Sequence, residues 1–110
     1  MKFAFYREQK HPHSHLDRFP FSNDGELFLY SYTIDRDLLN RLRSLLSANT
    51  SLFSHPGRGL QESFSLLLDK VNASLRLPDF REHLHGKEHF MIMVTRSSEL
   101  HFSLLGQLTV

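Results

Sequence analysis

Apolar and polar positions alternate with a period of two near both ends of this chain, and with a period near 3.6 through its middle. Phe3 and Phe5 alternate against Lys2 and Ala4, so residues 3–7 read as a strand. A polar stretch containing His and Pro follows over residues 9–24 and reads as a long loop. It ends in Asp24-Gly25, a strong turn dipeptide, because glycine accepts a positive φ without steric cost. Residues 26–34 (ELFLYSYTI) are rich in aromatic and branched side chains and predict a second strand, antiparallel to the first. Asp35 then caps a helix over 36–48, with Leu38, Leu39, Leu42, Leu45 and Leu46 on one face. Arg41, Arg43 and Ser44 point away from that face and read as solvated.

Residues 49–59 carry Ser, Asn, Pro and Gly and read as a loop. The strongest periodicity of the chain follows over 60–76, where Leu60, Phe64, Leu67, Leu68, Val71 and Leu75 form a stripe, and Pro78 stops that helix. Residues 79–87 read as a polar connection. HFMIMVT, 89–95, is nearly all apolar through its middle and suits a strand covered on both faces. Arg96-Ser97-Ser98-Glu99 is a turn, and 100–105 returns as a second hairpin arm. Leu100, Phe102 and Leu104 fall on one side of that arm, His101 and Ser103 on the other.

The predicted order is strand, strand, helix, helix, strand, strand. That is an α+β fold: a layered antiparallel β-sheet with two antiparallel helices packed on one face, Leu stripes inward. The 110 residues amount to one domain, or the N-terminal portion of a larger one. The chain stops at Val110 in the middle of what reads as another strand, leaving an open edge over 106–110. The expectation is that a longer protein continues there, or that a protein partner or a second copy covers this C-terminal edge strand.

Composition narrows the chemistry. With 40% hydrophobic and 23% charged residues the chain is ordinary for a globular protein. A net charge of +1 provides no global field to recruit nucleic acid or an anionic membrane. No apolar run approaches the roughly 20 residues of a membrane-spanning helix. MKFAFYREQK lacks the apolar core of a secretory signal, so a cytoplasmic protein is expected. The absence of cysteine excludes disulfides, thiolate zinc sites, iron–sulfur clusters and cysteine nucleophiles.

Two histidine clusters are candidates for metal. If HPHSH is extended, His11, His13 and His15 share one side, and Asp17 continues the alternation. Three imidazoles and a carboxylate could hold zinc or a similar ion; the plain alternative is a solvated, Pro-interrupted loop. His83, His85 and His89 lie in HLHGKEH, where Gly86 argues against the helix that would bring His85 and His89 together. That cluster suits titratable surface residues better than ligands. SHPGRGL, 54–60, could hold an anion at a helix N-terminus, but a connecting loop is the better reading. No Gly-x-Ser-x-Gly or Gly-rich phosphate loop is present.

Several short stretches resemble the N-terminal half of the metal-dependent PPM-type serine/threonine phosphatases. His15-Leu16-Asp17-Arg18-Phe19 resembles that family's first acidic motif, and Gly25-Glu26-Leu27-Phe28-Leu29-Tyr30 the lead into its second. Val71-Asn72-Ala73-Ser74-Leu75 resembles its second helix, and 99–106 the hairpin that runs into its Val-Gly-Asp-Ser-Arg motif. The resemblance implies a site where aspartates hold two divalent ions, such as Mn or Mg, that activate a water against a phosphoester. Here only Asp17 stands in such a place. Tyr32 falls where the second motif wants aspartate, Gln107 follows Gly106 where the last motif wants aspartate, and Asp35 lies three residues late on a helix cap. One carboxylate cannot offset the repulsion of two adjacent cations. The resemblance therefore implies a degenerate member, a pseudoenzyme with neither catalytic residues nor cofactor, serving as an interaction module. The rival expectations are a metal-dependent hydrolase using Asp17 with His11, His13 and His15, and a profilin- or longin-like adaptor.

Overall fold

The computed structural model describes residues 14–33, 35–82 and 89–106. Within them, strands β1 (Ser14–Pro20) and β2 (Gly25–Tyr32) form a hairpin. Helices α1 (Arg36–Ala48) and α2 (Leu60–Leu75) follow, with a 3-10 turn at Thr50–Ser54 between them. After the short helix α3 (Pro78–Arg81), strands β3 (His89–Arg96) and β4 (Glu99–Gly106) form a second hairpin. The four strands make one antiparallel sheet in the order β1-β2-β3-β4. The fold is α+β.

The sheet buries one face beneath the helices. Leu27 and Leu29 of β2 and Phe90, Ile92 and Val94 of β3 share a core with Leu38, Leu42 and Leu46 of α1 and Phe64, Leu67, Val71 and Leu75 of α2. Both leucine stripes therefore point inward, onto the same sheet face. The molecule is 18 Å through its thinnest dimension, which is a sheet layer and a helix layer. The Asp35 carboxylate accepts from the Leu38 amide at 3.0 Å and caps α1 where the sequence places the cap.

Several expectations need correction. Residues 14–20 lie inside the segment read as a loop, yet they form β1, the partner of β2. The positions of β1 that face the helices are His15, Asp17 and Phe19, so an apolar alternation is missing there and the period-two signal fails. The strand read over residues 3–7 lies outside the described residues. The connection to β2 is short, residues 21–24.

Gly25 is required for space, not for a positive φ. A Cβ there would stand 2.3 Å from the Phe21 ring, and that ring is stacked on Phe53 with centroids 4.9 Å apart. Phe53 belongs to the 3-10 turn that breaks up the loop expected over 49–59. Pro78 does not merely follow α2; it starts α3, which seats Phe80 in the core. The polar connection expected over 79–87 thus opens with a helical turn.

Candidate functional site

The sheet face away from the helices carries cross-strand rows that run from β1 to β4. One row is Arg18, Phe28, Met93 and Phe102; the next is Leu16, Tyr30, Met91 and Leu104. Phe28 and Met93 in the middle are buried, so the face is covered there. Toward β4 the cover ends. Phe102 is 57% and Leu104 69% exposed, the most exposed large apolar side chains of the described sheet. The split of β4 into an apolar and a polar side is as the alternation predicts. It is the apolar side that faces away from the helices, while His101 and Ser103 face α2 across a groove of about 430 Å³ with Gln61, Phe64, Ser65 and Leu68. In that groove His101 Nε2 lies 2.7 Å from Glu99 Oε2, and its ring centroid lies 6.3 Å from that of Phe64.

At the opposite edge the first of these rows begins with charge. The Arg18 guanidinium donates to both oxygens of Glu26, at 3.0 and 2.7 Å, and its Cζ stands 5.4 Å from the Phe28 ring centroid. The hydrogen bond to Glu26 and that residue's negative charge raise the Arg18 pKa above its ordinary value. On the helix side of the same strand, Arg43 Nε donates to Asp17 Oδ2 at 2.9 Å.

The Asp17–Arg43 pair changes the picture of the candidate metal site. Arg43 is only partly solvated: it reaches from α1 to β1 and pairs with the one carboxylate of the set. His15 stands on the same side of β1 as Asp17, and His11 and His13 lie outside the described residues. Tyr32, in the place of a second aspartate, is on the open sheet face, opposite to the side that carries Asp17. Asp35 is engaged in the α1 cap. Gly106 ends β4 and Gln107 lies outside the described residues. Among the described residues no three His, Cys, Asp or Glu come together as metal ligands would. The described members of the set do not fit a two-cation centre.

Of the second cluster, His89 is exposed on β3 with its ring 6.4 Å from that of Tyr32, and His83 and His85 lie outside the described residues. The SHPGRGL loop is tied to itself: the Gly57 amide donates to His55 Nδ1 at 3.2 Å, and the Ser63 amide of α2 to the Gly59 carbonyl at 3.1 Å.

A second feature invisible in the sequence joins the two hairpin turns. Ser22 and Ser97 hydroxyls donate to the two oxygens of Asp24 at 3.0 and 2.6 Å, and the Ser97 amide donates to the Asp24 carbonyl at 3.2 Å. These bonds, Ser97 first, lower the Asp24 pKa. Ser97 takes φ 53°, the left-handed region a mirror-type hairpin turn demands. Beside it Arg96 donates to the Phe53 carbonyl and covers the Phe21 ring at 5.4 Å.

A scan against protein-family models and searches of curated proteins and of solved structures find no match to this chain. Among the described residues no helix is long and apolar enough to cross a membrane.

Proposed function

We propose that the chain is a non-catalytic interaction module, a phosphatase-like scaffold without a metal centre, whose docking surface is the β4 side of the sheet face turned away from the helices. The observation that carries this is the exposure of Phe102 and Leu104 on an edge strand. Apolar side chains left in water at a strand edge are stabilised by any partner that covers them, and the outer ladder of β4, which no strand among the described residues pairs with, supplies the hydrogen bonds to hold it. The salt bridge that occupies Asp17 supports the non-catalytic half of the proposal, because a carboxylate held by a guanidinium is a poor start for a cation site. The scaffold itself rests on the residue resemblances of His15–Phe19, Gly25–Tyr30 and the α2 motif.

The test is hydrolysis of an aryl phosphate with manganese added. The expected outcome is no turnover above buffer. Turnover abolished by Asp17→Asn would sink the proposal in favour of a metal-dependent hydrolase.

A further inference from the structure

The sequence of β4 is a palindrome in the one respect that matters for self-pairing. Leu100-His101-Phe102-Ser103-Leu104 reads apolar, polar, aromatic, polar, apolar in both directions about Phe102. The hydrogen-bonding phase of the strand agrees with that centre. The β3–β4 turn has two residues, Ser97 and Ser98, between the paired Arg96 and Glu99. In such a hairpin the flanking pair exchanges hydrogen bonds, and alternate residues of an antiparallel strand turn their N–H and C=O groups to opposite sides. Glu99, His101 and Ser103 therefore bond to β3. Leu100, Phe102 and Leu104 direct their backbone groups to the outer edge, where no strand among the described residues pairs with them. The missing N–H of Pro20 fixes the same phase at the other end of the sheet, since its pair with Glu26 must be a non-bonded one.

We infer that β4 pairs antiparallel with β4 of a second copy about a two-fold axis at Phe102, joining two four-stranded sheets into one of eight. This rests on the reading of the β4 side as a docking surface and names its occupant. In this register Phe102 faces the partner's Phe102 and Leu100 faces the partner's Leu104, each pair exchanging main-chain hydrogen bonds. The exposed apolar strip becomes a continuous one shared by both copies. On the helix side His101 meets the partner's Ser103, so no like charges oppose each other. A shift of the axis to His101 would set histidine against histidine. The net charge of +1 leaves little repulsion between copies.

Position 102 facing itself makes a sharp test. Phe102→Lys and Phe102→Glu each set two like charges across the axis, and a mixture sets opposite ones. Sedimentation of the full chain should show a dimer for the unaltered protein, at least a tenfold weaker association for each variant alone, and a restored dimer in the equimolar mixture. Phe102 is more than half exposed, so both variants should keep the unaltered far-ultraviolet circular dichroism. A monomeric unaltered chain up to about 200 µM, a dimer that survives in either variant, or a mixture that stays monomeric would each overturn the inference. Failure of this pairing leaves the aryl-phosphate result unchanged, so the two readings fall separately.

Discussion

The two edges of the sheet are built on opposite plans. β1 is guarded on both faces: Arg18 forks onto Glu26 over Phe28, and Asp17 is held by Arg43 beneath the helix layer. Its last residue, Pro20, turns a missing donor toward the free side. β4 carries one Glu99–His101 pair on its helix side and bare Phe102 and Leu104 on the other. Charge and proline are the usual means of discouraging strand addition, and they are concentrated at one edge. The difference teaches that one small sheet can close its two edges to different degrees, β1 by charge on both faces and a proline, β4 by a single pair on its helix side.

That comparison can be broken or sharpened by mutation. The largest effect belongs to the shared core between the edges. Ile92→Ala, beneath the helices, should lower unfolding free energy by about 2–5 kcal/mol in urea titrations, whereas Phe102→Ala on the bare strip should change it by no more than about 0.5 kcal/mol once dimer is diluted away. A large loss from Phe102→Ala within the monomer would mean that the strip belongs to the fold rather than to a partner. Next comes the turn behind the guarded edge. Gly25→Ala drives a methyl group into a Phe21 ring already held by Phe53 and Arg96, and should cost about 1–3 kcal/mol by the same titration.

The guard itself is weaker. Asp17→Ala leaves Arg43 half-buried without its carboxylate, and thermal melts should show a loss of about 1 kcal/mol or less, fading in high salt as solvent-screened pairs do. The smallest effect is a pH dependence. Asp24 has its pKa lowered in the fold, so its hydroxyl bonds add stability above the ordinary carboxylate range, and that contribution disappears as pH falls through the lowered value. Asp24→Asn should flatten this part of the acid limb in melts taken across pH, and an unchanged limb would remove Asp24 from the account.

The sequence alone determined the elements whose signal is local. Leucines three and four apart place α1 and α2, Asp35 marks the first cap, and apolar runs place β2, β3 and β4. These follow from a residue's own neighbours, since burying one face of a helix or strand imposes a period that can be counted. The tertiary structure decided what depends on distant residues. β1 escapes the period because its inward Asp17 is made tolerable by Arg43, 26 positions away. Phe21 and Gly25 fit only because Phe53 and Arg96 arrive from elsewhere in the chain. Alternation divides β4 into two sides, but only the position of α2 over His101 and Ser103 decides that the apolar side is the one left exposed. A pattern along the chain states which side chains travel together, whereas which side meets water is set by where the other layer comes to rest.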